Sequence, residues 1–284
     1  MPQLPESLNL GSIDEPLLIF GGPYSNLAAT AAMRQWAEQH QFPPRRVICT
    51  GDIIAYCGEP RECLELIQDW GIAVVQGNCE QALAAEAPDC GCGFAEGSAC
   101  SLLSVNWYHF ARNSLTAAER AWLATLPRSL HCSMYGRTIQ LIHGGVSQTN
   151  RFLFASSAEQ TLRQELERSA ADIVIGGHCG IPWGRTLGQR AWLNAGAIGL
   201  PANDGTRDGW FMLLSPTPDG RLHCRWQRLV YNVATSAEKM LAAGLTGGYA
   251  ETLQNGLWPS MDVLPPAERS RQGIPLELED LLII

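Results

Sequence analysis

The sequence predicts an α/β fold. Short apolar runs that read as strands alternate with stretches carrying apolar residues at helical spacing, and four of those runs end in loops rich in Gly, Asp, Asn and His. With 284 residues the chain is long enough to bury a substantial core.

Leu17-Leu18-Ile19-Phe20 reads as a buried strand that stops at Gly21-Gly22-Pro23. Ala28 to Gln39 reads as a helix, with Met33, Trp36 and Ala37 at helical spacing. Pro43-Pro44 breaks the pattern before the strand Val47-Ile48-Cys49. Glu62 to Trp70 is a second helix, with Cys63, Leu66, Ile67 and Trp70 on one face, and Ala73-Val74-Val75 follows as a strand. From about residue 81 to 128 the alternation stops. This block is Ala-rich and helical, broken by Asp89-Cys90-Gly91-Cys92-Gly93-Phe94. Ser98 is expected to cap the helix carrying Leu102, Leu103 and Trp107, and Thr116 with Glu119 forms a capping box. Strands resume near Ile139, with Ile139 to Ile142 and then Ile173-Val174-Ile175. Trp210 to Leu214 and Leu222 to Trp226 read as an antiparallel hairpin over residues 216–220. From about residue 235 to 284 the tail reads as short helices and Pro-rich loops. The expected organisation is one domain over residues 1–284, with a helical insertion at about 81–128 lying over the functional edge.

Composition is that of an ordinary globular chain, 46% apolar and 17% charged. A net charge of −8 argues against a broad nucleic-acid or anionic-membrane surface, although a local basic pocket could still bind phosphate. Met1 to Leu10 lacks the basic flank and long apolar run of a secretory signal, and no apolar stretch is long enough to span a bilayer. The expected compartment is the cytoplasm. The ten cysteines then read as buried small hydrophobes, metal ligands or reactive thiols rather than a disulfide framework.

The loops after four strands carry the chemistry: Gly51-Asp52, Gly77-Asn78-Cys79-Glu80, His143-Gly144-Gly145 and Gly177-His178-Cys179-Gly180. In an α/β sheet, loops beyond the carboxyl ends of strands meet in one crevice. That crevice would hold one carboxylate, one amide and two imidazoles, a set able to coordinate a divalent metal through oxygen and nitrogen. Taken singly, Asp52 and Asn78 are also common turn formers, and His143 and His178 could be satisfied core histidines.

The ordered series resembles the calcineurin-like metallophosphoesterases, over about Leu17 to Gly199. Members read D-x-H, G-D, G-N-H-D/E, H-G and G-H-x-H. Ser25-Asn26-Leu27-Ala28-Ala29 and Asn194-Ala195-Gly196-Ala197-Ile198-Gly199 are supporting echoes, and Asp52-Ile53-Ile54-Ala55-Tyr56 with Pro60 is similar to the small prokaryotic branch. The resemblance implies a four-layer sandwich of two mixed β-sheets flanked by helices. It also implies that Asp52, Asn78, His143 and His178 form the family's second metal site. Three first-site ligands are replaced: Gly22 and Tyr24 stand in D-x-H, and Gly180 stands for the last histidine. Cys79 replaces the histidine that helps protonate the leaving oxygen in the family.

These departures leave several residues with two readings. Tyr24 either plugs the vacated site or donates its hydroxyl to a phosphate. Cys79 is either a buried small residue or a ligand or thiolate, and a thiol is a poor general acid near neutral pH unless its surroundings tune it. Glu80 fits a helix N-terminal carboxylate. Cys90 and Cys92, with Cys79 and Cys100, raise a cysteine–metal site, although C-x-C is not the usual zinc spacing; Cys179 lies near the expected crevice. Arg151 and Arg185 are phosphate-pairing candidates or surface residues. The function expected from the whole is hydrolysis of a small phosphate mono- or diester by a metal-activated water, at a mononuclear or rebuilt site holding Mn²⁺, Fe²⁺ or Zn²⁺. Asp52, Asn78 and Cys79 are the candidate catalytic residues. The competing expectations are a non-catalytic protein of the same fold that binds a phosphorylated ligand or partner, and a cysteine-based metal or redox protein.

Overall fold

The computed structural model describes residues 6–283. In chain order they form β1 (Ser7–Ser12), β2 (Leu17–Phe20), α1 (Leu27–Gln39), β3 (Val47–Cys49), α2 (Pro60–Trp70), β4 (Ala73–Val74) and α3 (Asn78–Ala84). Next come α4 (Ala99–Ser114), α5 (Ala117–Leu123), β5 (Ser129–Met134), β6 (Arg137–Ile142), α6 (Glu159–Arg168), β7 (Ile173–Gly176), β8 (Trp183–Leu187) and β9 (Arg190–Asn194). The chain continues with β10 (Gly209–Pro216), β11 (Leu222–Leu229), α7 (Val233–Ala242), α8 (Tyr249–Asn255), α9 (Pro266–Arg269) and β12 (Leu281–Ile283).

Two six-stranded mixed sheets result, in the orders β1-β5-β6-β7-β9-β8 and β12-β11-β10-β2-β3-β4. The alternation of side chains explains why they stack. In β2, Leu17 and Ile19 face the layer between the sheets, where they join Ile48, Leu141, Ile173, Ile175 and Met212. Leu18 and Phe20 point the other way, into a second core shared with Met33 of α1, Ile67 of α2 and Met240 of α7. A third cluster, including Val174, Trp192 and Leu162, packs α6 against the outer face of the first sheet. All four residues of β2 are fully buried, which is why this strand is continuously apolar. Truncating Leu17 to Ala would cost about 2–5 kcal/mol. The layering is therefore helices, sheet, sheet, helices.

The helix starts follow local chemistry. Asn26 Oδ1 accepts the Ala29 N–H at 3.1 Å and Ser98 Oγ accepts the Ser101 N–H at 3.2 Å, while Thr116 and Glu119 bond reciprocally at the start of α5.

Two expectations are corrected. Strands resume at Ser129, not near Ile139: β5 places Leu130, Cys132 and Met134 inward, but the intervening His131 and Ser133 weaken its apolar signal. The tail also does not end in helices and loops alone. Residues Leu281–Ile283 form β12, antiparallel to β11, a pairing that depends on an edge supplied from elsewhere in the chain. Among the described residues, no helix is long and apolar enough to cross a membrane.

The functional edge forms where β2, β3 and β4 of one sheet and β6 and β7 of the other end side by side. The two sheets touch there through a bridge between Gly21 and Ala197. A side chain at Gly21 would press against Thr50 Oγ1 at 2.6 Å and the Gly196 carbonyl at 2.7 Å, so only glycine permits this approach.

Candidate metal centre

Asp52, Asn78, His143 and His178 come from four separate loops, and all are buried, at 3%, 3%, 2% and 7% exposure. Their ligand atoms meet around His143 Nε2. Asn78 Oδ1 lies 3.0 Å from it, His178 Nδ1 3.0 Å and Asp52 Oδ2 3.2 Å. Among the described residues, Asp52, His143 and His178 are a group of acidic and imidazole side chains with ligand atoms all within 4.8 Å of one another.

Hydrogen bonding fixes which atoms carry protons. His143 Nδ1 lies 2.7 Å from the Thr50 carbonyl, which can only accept, so Nδ1 holds the proton and Nε2 presents its lone pair in the neutral ring. Asn78 Nδ2 donates to the Cys90 carbonyl at 3.0 Å, which turns Oδ1 toward His143. His178 Nδ1 lies 3.0 Å from the same Nε2 of His143, while its own Nε2 is buried without a hydrogen-bond partner. Four potential ligand atoms thus gather around His143 Nε2 in a buried space. Without a cation they repel, and only a proton or a metal ion can relieve them. The donor set, one carboxylate, one amide oxygen and two imidazoles, fits a divalent ion.

The charges agree. Burial opposes ionisation of Asp52, yet His143 beside it holds its carboxyl below the ordinary carboxylate range. Burial likewise disfavours charge on His143, but Asp52 raises it above the usual histidine value. Burial and the His143 charge push His178 down to about 3, so it stays neutral.

Asp52 stands in the left-handed region, with φ 55°, a strained position for a non-glycine residue. Glu80 holds it there. Its carboxylate accepts the N–H groups of Asp52 at 2.8 Å, Ile53 at 2.8 Å, Ile54 at 3.3 Å and Gly77 at 2.9 Å. Both oxygens are spent on backbone donors, so Glu80 ties the loops after β3 and β4 together and does not face the cluster. The Cys79 N–H then fixes Asp52 Oδ1 at 3.2 Å. Gly77 leaves the space for this: an added Cβ would collide with Asp52 Oδ1.

Tyr24 fills the neighbouring space. Its ring lies so close to Gly22 that any Cβ there would overlap it, and its hydroxyl stands 3.5 Å from where a Cβ on Gly180 would be. The three replaced positions are therefore one packing event. With φ 53°, Tyr24 turns back over the loop, and its N–H bonds the Asp52 carbonyl at 3.1 Å. Burial, with the Asp52 charge, raises its hydroxyl well above the usual value, so it stays neutral.

The thiols take other places. Cys79 and Cys92 receive the Asn78 amide at 3.5 and 3.3 Å, and burial pushes both thiols well up. Cys90 contributes its carbonyl, and Cys179 Sγ turns to the Ile181 carbonyl at 3.4 Å. All ten cysteines are free and buried. Arg151 pairs with the fully buried Glu165 at 2.6 Å and with Ser147, while Arg185 bonds Ser157 and Glu159, so both are engaged in structure. Sequence reasoning missed the Thr50 carbonyl and Glu165, which accepts Ser147 N–H at 2.9 Å and so braces the loop after His143. A backbone carbonyl leaves no residue signature, whereas a carboxylate inside the apolar spacing of α6 does.

Two openings flank the cluster. One is a polar cleft of about 820 Å³ with Asn78 at its base, lined by Gln81, Gln140 and the loop 145–150. The other is a tight aromatic slot of about 60 Å³ over His178 and Tyr24. Gly91 lines the first and Phe94 the second, and the Asn150 amide holds this loop through the Gly91 carbonyl at 2.8 Å.

Comparison with known proteins bears on this arrangement. A model of the calcineurin-like phosphoesterase superfamily domain matches residues 28–216. Among solved structures, the chain is similar to a metallophosphoesterase from Sphaerobacter thermophilus, with 20% identity, a TM-score of 0.66, and coverage of 86% of this chain and 100% of that one. It is also similar to a hypothetical protein from Pyrococcus horikoshii OT3, with 15% identity, a TM-score of 0.71, and coverage of 85% and 98%. At such identities the structural likeness speaks for the fold. Comparison with the curated proteins finds no match.

Proposed function

This chain belongs to the calcineurin-like phosphoesterase superfamily, and we propose that it hydrolyses a small phosphate mono- or diester at a mononuclear centre. One observation carries the proposal: four potential ligand atoms, from Asp52, Asn78, His143 and His178, gather around His143 Nε2 in a buried space. These residues would hold one divalent transition ion, with Mn²⁺, Fe²⁺ or Zn²⁺ all suited to the nitrogen and oxygen set. Such an ion, when bound, supplies positive charge against a phosphate ester and acidifies water.

The chain's own groups set the rest. Thr50 locks the His143 tautomer, and Glu80 and the Cys79 N–H aim Asp52, kept ionised beside His143 and able to orient an attacking water. The Cys79 thiol, raised by burial, is not set up to protonate a leaving oxygen at neutral pH. With Tyr24 filling the adjacent space, the second charge of a two-metal clamp is missing, so turnover of generic phosphate esters is expected to be weak. The test is hydrolysis of aryl and alkyl phosphates by metal-loaded protein and by His143→Ala. Activity that survives the substitution would belong to a contaminant and sink the enzyme reading.

A second reading is favoured by the same burial and by the Tyr24 filling: a non-catalytic protein that binds a phosphorylated ligand at one ion. Metal-loaded protein that binds phosphate but turns over no mono- or diester would select it.

A further inference from the structure

The aromatic slot beside the metal centre has a composition of its own. His178 and Tyr24 both line it, each packed against further rings. Phe152 packs on His178, ring centroids 4.2 Å apart, and Phe94 lies stacked on Phe152 at 6.4 Å. Tyr24 meets Tyr56 edge-on at 4.9 Å, and Tyr56 meets Tyr249 at 4.7 Å. Trp258 closes one end, its indole N–H held by the Pro201 carbonyl at 2.7 Å. Phe94, Phe152, Tyr249 and Trp258 are each half-buried, so the slot opens between aromatic edges toward solvent.

Among the described residues that line it there is no lysine, arginine, aspartate or glutamate. A second phosphate or a carboxylate entering the slot would lose its water and gain no counter-charge. A planar apolar ring would gain contact with several aromatic side chains. The polar cleft on the Asn78 side is different in kind, and the cluster lies between the two.

Resting on the phosphoesterase reading above, we propose that this slot takes the aromatic leaving group of an aryl phosphate ester carrying no further charged group. In the step, water oxygen forms the new P–O bond and loses a proton. The P–O bond to the ring breaks, and its electron pair leaves on the aryl oxygen as a phenolate, which regains a proton from solvent. Phenols titrate near 10, so a phenolate departs without the side-chain acid that the slot lacks. An alkoxide, far more basic, would need one.

The slot is narrow as it stands. Its volume of about 60 Å³ is below the roughly 150 Å³ of a cavity known to admit benzene. A ring therefore enters by displacing the rim. Phe94 is built for this: it sits in a segment without regular structure, among Gly91, Gly93 and Gly97, with φ 64°, 76° and 73°.

The test compares phenyl phosphate with methyl phosphate on metal-loaded protein, and measures binding of phenylphosphonate against methylphosphonate by calorimetry. The proposal expects phenyl phosphate to lead in kcat/KM, and phenylphosphonate to bind about tenfold tighter or more, the scale of one or two stacking contacts. Phe94→Ala and Tyr249→Leu should each shrink that aryl-over-alkyl ratio several-fold, with the bound ion retained. Equal binding of the two phosphonates would overturn the slot proposal and leave the phosphoesterase reading intact. Loss of all hydrolysis with the aryl preference in binding preserved would instead overturn the phosphoesterase reading and keep the slot as a ring-binding site.

Discussion

On one side of the crevice, potential ligand atoms of Asp52, Asn78, His143 and His178 gather around His143 Nε2; Cys79, Cys90 and Thr50 hold the first three from behind, and Phe152 packs on the ring of His178. On the other side, Gly22 and Gly180 carry no side chain, and the ring of Tyr24 occupies the space. The first region is electrostatically incomplete without a cation, and the second is sterically complete without one. Ligand positions lost together are explained by one filling residue, whereas ligands kept together retain their supports. Counting surviving motif residues would miss this, because the difference lies in whether lone pairs or carbon atoms fill the space.

The comparison can be broken most directly by removing a ligand. Asp52→Ala or His143→Ala should lower metal affinity by more than the ~10–100-fold typical of groups one layer behind a metal. Titration with Mn²⁺ or Zn²⁺, followed by calorimetry, would read it. An unchanged affinity would place the ion elsewhere.

Supports come next. Glu80→Gln puts an amide donor among four backbone N–H groups. It should weaken metal binding by ~10–100-fold and lower stability by about 1–3 kcal/mol. Gly77→Ala forces Asp52 aside and should cost up to about 3 kcal/mol, seen as a lower urea midpoint at constant slope.

The other region gives a sharper test in the opposite direction. Replacing Gly22 by Asp, Tyr24 by His and Gly180 by His together removes the filling and supplies three ligands. Elemental analysis is expected to rise from about one ion per chain to about two. Tyr24→Phe, which keeps the ring, should have the smallest effect, with stoichiometry unchanged and stability within about 1 kcal/mol.

Much of this was readable in the sequence because the relevant side chains end strands. Asp52, Asn78, His143 and His178 each follow an apolar run and border glycine, and the sheet brings such positions together. The helix caps at Ser98 and Thr116 were likewise local chemistry. What could not be read was tertiary. Tyr24 covers Gly22 and reaches Gly180 only once the sheets meet, and β12 exists only because β11 offers an edge. Glu80 looked like a helix N-terminal carboxylate, and it is one; its grip on Asp52, Ile53 and Ile54 reaches a loop 26 to 28 residues away. The aromatic slot draws Tyr56, Phe94, Phe152 and Tyr249 from four separate segments, and no spacing in the sequence connects them.

The central claim is one cation at one surviving half-site, and metal stoichiometry by elemental mass spectrometry tests it most directly. Protein incubated with Mn²⁺, Fe²⁺ or Zn²⁺ and then desalted should carry about one ion per chain, and Asp52→Ala should carry none. No ion in the parent protein, or an ion kept by Asp52→Ala, would contradict the account.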